Sequence, residues 1–342
     1  MTNMKKLAAL LLALSLTLAL TACGGKDSGG SGTSAPSNGS GSSGGDAPHY
    51  TIGISQYGEH GSLDNCRIGF LQGLAEAGIV EGENLTVDYQ NAGFDDSIAT
   101  QIGQSFSASG VDLMVAIATP SATACFAAAE DKDIPVIFTA ITDPVGAKLD
   151  SGNITGTSDV LPVAGQLQLI RDLQPQAKTV GIVYTTSEAN SVYSVGVYED
   201  LAADYGLTVE TVGVTAQSEV TQAVDALISR GVDCISNLTD NTVVGVLPAI
   251  LEKTNEAGIP VYGSEVEQMK LGCVAGAGLD YIKLGIQTGQ MAAKVLKGEA
   301  ACQDLPYEII ENFDLYINPE TLDAMGLVIP ESVSSNAIDV TA

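Results

Sequence analysis

The sequence predicts an α/β protein of two lobes, each a doubly wound parallel sheet, with a ligand cleft between them. Three observations carry this. Short apolar, β-rich runs alternate with segments of helical spacing from residue 50 to residue 262, the order that builds parallel sheets with helices on both faces. The alternation restarts after Gly152, and each round closes on a similar strand, Ile134-Pro135-Val136 and then Ile259-Pro260-Val261. The folded portion, from about His49 onward, is long for one domain and suits two of ordinary size.

Taken in order, residues 50–56 alternate as a first strand, and a polar loop over 57–61 follows. Residues 63–77 have helical apolar spacing, stopped by Gly78. A strand over 85–89 precedes a helix with Ile98, Ile102 and Phe106 on one face. A strand over 111–117 turns straight into a helix that runs to about Lys132. There Thr119 has the chemistry of an N-cap and Pro120 suits the first helical position. With the Ser121 hydroxyl, the free amides that follow form a small anion site at a strand's carboxyl end. The strand over 134–139 ends at the loop 142–146.

After the restart, a crossing strand over 154–158 leads to a helix over 163–173, ended by Pro175. Strands over 179–184, 207–214 and 232–237 alternate with helices over 192–205 and 220–229. A helix over 243–257 is expected despite Pro248, then a strand over 259–263, and a helix over 281–296 crosses back to the first lobe. The expected division is 49–157 plus 281–318 for one lobe and 158–280 plus 319–342 for the other, with crossings near Ser158 and Gly278.

Strands that should face the cleft end in small polar residues: Ser55 and Gln56, Thr119 and Ser121, Thr142, Asp159, Asp240 and Asn241, Glu265, with Asp280 at the second crossing. Any one of these is more often a helix cap than a ligand contact. Their recurrence over several strands points to a small polar ligand, whose ammonium a carboxylate such as Asp159, Asp240, Glu265 or Asp280 would neutralise. Tyr57, Glu59 and His60 place a stacking surface in the first loop, or else cover the sheet edge.

The N-terminus sets the compartment. Lys5 and Lys6 precede an apolar run over 7–20, with the charge and length of a secretory signal over 1–22. It ends in Leu20-Thr21-Ala22-Cys23, similar to the bacterial lipobox, in which the cysteine carries the lipid. Residues 23–48 then form that cysteine and a Gly/Ser tether, whose root-mean-square span is about 25–30 Å.

A net charge of −27, from 14 basic and 41 acidic residues, argues against nucleic acid and against lying on anionic lipid. Two histidines, His49 and His60, make no metal cluster, and no cofactor is expected. Beyond Cys23, five cysteines without CxxC spacing suit buried thiols better than a disulfide framework.

Several segments together resemble the extracytoplasmic solute-binding lipoproteins of ABC transporters, in particular the tryptophan/tyrosine-type subgroup. They are IGISQYGEH at residues 52–60, DYQNA at 88–92, VAIATPSA at 115–122, VIFTAITDPVGA at 136–147, NITGTSD at 153–159, EANS at 188–191, TDNTV at 239–243 and GLDYIKLG at 278–285. The resemblance implies a periplasmic-binding-protein type I fold that closes on an amino acid, often aromatic, and delivers it to a membrane permease with its ATPase. It implies a carboxylate met by Thr119 and Ser121, an ammonium met by Asp240 or Asp159, and a side chain near Tyr57 and His60, with Asn190 in the EANS segment also at the site. Gly61 stands where the family pattern has proline, which frees the first loop.

The protein is then a monomeric, lipid-anchored binding component of an importer, touching the membrane through its lipid alone. The alternative is a receptor of the same fold serving a sensor partner. An enzyme is disfavoured, since His60 is the only suitable base and no GxSxG occurs in the folded portion from His49 onward.

Overall fold

The structure is a computed structural model that describes residues 48–310 and 313–342. The expected signal segment, Cys23 and residues 24–47 of the tether lie outside the described residues.

The first half runs β1 (Tyr50–Gln56), α1 (Gly61–Glu76), β2 (Leu85–Asn91), α2 (Asp96–Ser109), β3 (Leu113–Ile117), α3 (Thr119–Ala129), β4 (Val136–Ile141) and β5 (Ile154–Ser158). The second runs α4 (Val163–Leu173), β6 (Thr179–Thr185), α5 (Ala189–Leu201), β7 (Thr208–Val214), α6 (Gln217–Arg230), β8 (Cys234–Ser236), α7 (Asn241–Val244), α8 (Leu247–Ala257), β9 (Val261–Tyr262), α9 (Val266–Leu271) and β10 (Ala275–Gly278). The chain returns through α10 (Tyr281–Leu296) and β11 (Glu308–Ile309), then ends in β12 (Asp314–Ile317), α11 (Pro319–Ala324), α12 (Glu331–Ser334) and β13 (Ala337–Asp339).

The first sheet is parallel throughout, in the order β11-β5-β4-β3-β1-β2. Ile52, Ile54, Val115, Ile137 and Phe138 are fully buried in its core. A parallel sheet covered on both faces takes such near-continuous apolar runs. The second lobe holds a parallel sheet, β7-β6-β8-β9, with separate apolar clusters packed around it. The fold is thus the expected two-lobed α/β class.

Three expectations need correction. Strand β12 falls within 281–318, assigned above to the first lobe, yet it pairs antiparallel with β10. Backbone bonds from Gly263 to Ala275 and from Val274 to Val261 continue the second sheet onto β10. That leaves an edge for β12 to cover, and its Tyr316 and Ile317 side chains bury in second-lobe clusters. The chain therefore crosses a third time, between β11 and β12, and the second lobe is not purely parallel. The helix over 243–257 is also two helices. Gly245 and Val246 break it, and Pro248 falls in the first turn of α8, where its missing N–H is not needed. Ile98 is exposed as well, because α2 turns Ala99, Ile102, Gly103 and Phe106 inward instead.

Helix α10 docks on α1 through glycines. A Cβ at Gly69 would lie 2.1 Å from the Ile282 carbonyl oxygen, and one at Gly285 2.3 Å from that of Cys66. Backbone oxygens cannot yield as side-chain tips do. Gly285→Val is therefore expected to lower stability by about 3 kcal/mol or more in urea unfolding; a loss below about 1 kcal/mol would show that the two helices can separate freely. The five described cysteines, Cys66, Cys125, Cys234, Cys273 and Cys302, are free and buried, as read from their spacing.

Candidate ligand cleft

The carboxyl ends of the strands in both sheets meet around one small pocket. Its walls are His60, Ser62 and Leu63 from the start of α1, Ala140 from β4, and Asp159 after β5. Tyr281, which opens α10, adds to them, and Asn190, Thr239, Asn241, Val244, Glu265 and Gln268 come from the second half of the chain. The pocket is narrow in this conformation, with room for about one water molecule.

Two strands of the first sheet, β3 and β4, end through uncommon backbone, the second of them at the pocket wall. Ala118 has φ +79 and Ala140 φ +60, which costs alanine on the order of 1–3 kcal/mol each and persists only where the surroundings impose it. Ala140 sits in a bulge, where the pairing of β4 with β5 shifts between Phe138 and Ile141.

Ala118, not Thr119, is the residue before α3, and it makes no side-chain cap. Its N–H stays in the sheet, donating to Thr139 O at 3.1 Å, so the chain turns one residue early. Thr119 thus becomes the first helical residue and Pro120 the second. The buried Thr119 hydroxyl has no partner. It borders a larger groove of about 630 Å³ beside the pocket, walled by α2, α3, residues 146–148, Ser187 and Ala189. Ser121 is fully buried, and its hydroxyl accepts from that of Ser55 at 3.2 Å.

The pocket is acidic. Asp159 accepts from Tyr281 OH at 2.6 Å and from the Thr142 hydroxyl at 2.9 Å. Burial raises its pKa above the ordinary carboxylate value, opposed by those two bonds. Burial pushes Glu265 up to about 7, although the amides of Glu267 and Gln268 and the nearby Ser62 hydroxyl favour its charge. Below the pocket floor, Glu188 accepts from the amides and side chains of both Asn241 and Thr242. Asp240 accepts from Thr185 and from the Val243 amide. Its pKa is raised by burial first and then by the charge of Glu188. No lysine or arginine lines the pocket among the described residues.

His60 supplies the other wall. Its ring lies parallel to Phe94, at 7° and 6.4 Å between centroids, and Tyr57 meets Phe94 edge-on at 6.1 Å. Both imidazole nitrogens are buried without a partner, since the nearby Asn241 amide is committed to Glu188. Burial pushes the His60 pKa down to about 4, so the ring is neutral at pH 7.

Of the residues singled out in the sequence, the structure gathers His60, Asp159, Asn190, Asn241 and Glu265 around the pocket. Thr142 stands behind Asp159. Gln56 turns inward to Gly58 and Asp64, and the Tyr57 hydroxyl donates to Asp96. Glu59 is exposed. Asp240 and Asp280 cap α7 and α10, and neither lines the pocket. Sequence reasoning missed Tyr281, Ser62, Gln268 and Glu188. Tyr281 and Glu188 lie in the quoted GLDYIKLG and EANS segments; nothing local marks Gln268.

Comparisons with known proteins show the family and the fold. Residues 51–341 match the family model described as ABC transporter substrate binding protein. The chain is 39% identical over 282 residues to a tyrosine-binding protein of Clostridioides difficile, covering 81% of each. A structure of an ABC domain from Streptococcus pneumonia in complex with L-Trp superposes with a TM-score of 0.81 at 36% identity, covering 85% of this chain and all of that one. The ligand-free, open structure of a substrate-binding protein with adhesive properties from Clostridium difficile gives 0.63, also at 36% identity, covering 85% of this chain and 99% of that one.

Proposed function

We propose that this chain, which belongs to the ABC transporter substrate-binding protein family, holds an aromatic amino acid between its two lobes. One observation carries the reading. Among the described residues, five buried side-chain polar atoms lack a partner: both nitrogens of His60 and Asn190 Oδ1 belong to residues that line the pocket, and Thr119 Oγ1 to one that borders the groove beside it. Buried polar atoms are nearly always satisfied, so such a concentration marks where another molecule completes the bonding. The same place holds buried carboxylates with no cation and a wall of stacked rings. A zwitterion with an aromatic side chain supplies what each part needs. Its ammonium goes to Asp159 and Glu265, its ring to His60, and its carboxylate to Thr119 Oγ1.

The similarity to a tyrosine-binding protein and to an L-Trp complex supports the ligand class. The better superposition on the L-Trp complex than on the open, ligand-free structure, at equal identity, supports reading this arrangement as the closed one. Ligand entry then requires the lobes to open and the narrow pocket to widen. Contacts made to both lobes only on closure shift the population towards the closed form.

A lipid on Cys23 would anchor the protein outside the cytoplasm, and the tether would let a monomer present its ligand to a permease and ATPase. No helix among the described residues is long and apolar enough to cross a membrane.

Calorimetric titration of protein stripped by unfolding and refolding, against each common amino acid, tests the ligand class. The expected result is a dissociation constant of about 1 μM or tighter, near −8 kcal/mol, for at least one of tyrosine, tryptophan and phenylalanine. Heat from none of the three would overturn the reading.

A further inference from the structure

Phe94, between β2 and α2, has a left-handed backbone with φ +64, a conformation that a bulky residue keeps only when its surroundings hold it there. Tyr57 does the holding. The Phe94 N–H donates to Tyr57 O at 2.9 Å, and the Tyr57 hydroxyl, whose proton goes chiefly to Asp96 at 2.9 Å, also lies 3.3 Å from Phe94 O. The ring then lies flat beneath His60.

Two glycines make room for it. A Cβ at Gly58 would come within 2.0 Å of Phe94 Cε1, so no other residue fits there with this ring in place. On the far side, a Cβ at Gly245 would lie 3.1 Å from Phe94 Cζ. Gly58 and Phe94 both belong to the first lobe, whereas Gly245 closes α7 in the second. Its φ of −57° and ψ of −17° admit any side chain, so the backbone does not require glycine at 245. The space does.

We propose that Phe94 is a positioning residue that couples the ligand to closure: its face orients the His60 ring, and its tip seats on Gly245 when the lobes come together. This rests on the reading of the cleft given above. The contact sits on the seam between lobes, so bulk added to either side of it obstructs closing without touching either core. The Gln217 side chain, whose Nε2 would lie 2.3 Å from a Cβ at 245, is a flexible end that can move aside.

The test compares wild type, Gly245→Val and Phe94→Tyr, full chain in each case, by calorimetry and small-angle X-ray scattering with L-tyrosine and L-tryptophan. Phe94→Tyr is the sharper variant, because it keeps the stack on His60 and adds one oxygen at the ring tip. Wild type is expected to bind and to contract. Both variants are expected to melt in the apo form within about 4 °C of wild type, the spread of an ordinary surface change. They should bind at least about tenfold more weakly, a difference of 1.4 kcal/mol, and contract less. Variants that bind and contract like wild type would overturn this inference alone. A wild type that takes neither amino acid would remove the cleft reading, and this coupling with it.

Discussion

Asp159→Asn is expected to weaken aromatic amino-acid binding by about 100-fold or more while leaving the apo protein at least as stable. Truncating one partner of a buried, hydrogen-bonded charge pair costs roughly 2–5 kcal/mol, most of it from leaving the other charge unpaired. Here the stranded charge is the ligand's ammonium. The apo fold loses little because asparagine matches the carboxylate in shape. Its Oδ1 accepts from Tyr281 OH, and its Nδ2 donates to the Thr142 hydroxyl, the two groups that now bond Asp159. Burial already holds the Asp159 pKa above its ordinary value, so the folded state disfavours the charge that the substitution removes. Titration and thermal melting of the same sample check both halves. Affinity within about threefold of wild type, less than 1 kcal/mol, would place the ammonium elsewhere.

The second large effect is on pH dependence. Glu265 titrates near 7 in the fold against an ordinary 4.5. Between those values the folded state binds more protons than the unfolded chain, so its stability falls as pH rises through that window and is flat above it. Going down from pH 7.5 to 5.5, Glu265 alone restores about 2 kcal/mol. Asp240, raised by burial and by Glu188, acts in the same direction. His60 acts against them, since its pKa of about 4 lies below the ordinary 6.5. Folded protein then binds fewer protons than unfolded, and stability is lost as pH falls below 6.5, by about 1.4 kcal/mol at pH 5.5.

The acids win, so the apo protein is expected to melt several degrees higher at pH 5.5 than at 7.5, at about 2–4 °C per kcal/mol. Relief of repulsion in so acidic a chain adds to the same trend, which is why Glu265→Gln is the control. That variant should lose a clear part of the slope. Ligand affinity should move the opposite way and fall at pH 5.5, because a protonated carboxyl no longer attracts ammonium. A Glu265→Gln slope equal to wild type would mean that the carboxylate is not held as buried as it lies here.

Where sequence signals are strong, the elements fall where the spacing puts them. Helices α4 and α10 span residues 163–173 and 281–296 as read, because long amphipathic periods are bounded by a proline and by a helix-capping aspartate. The second lobe's far edge was illegible. Strand β10 is Ala275-Gly276-Ala277-Gly278, which has almost no side chains to alternate. Its need for a partner, met by β12, exists only in three dimensions.

At the cleft, polar residues after strands were visible, but a cap and a ligand contact use the same residue types. Asp240 and Asp280 proved to be caps. Glu265 caps α9 and lines the pocket as well, so no rule on the sequence separates the two roles. Phe94 gave no signal at all. Its importance comes from a backbone angle that phenylalanine rarely adopts and from a glycine 151 positions away in the chain.

The most direct test of the account is a crystal structure of the protein grown with L-tyrosine or L-tryptophan. The expected result places the ligand's ammonium within hydrogen-bond reach of Asp159 or Glu265, its ring against His60, and its carboxylate at the Thr119 hydroxyl, with both lobes touching it. A ligand bound wholly in the groove between α2 and α3, with no contact to Asp159, Glu265 or His60, or to one lobe alone, would contradict it.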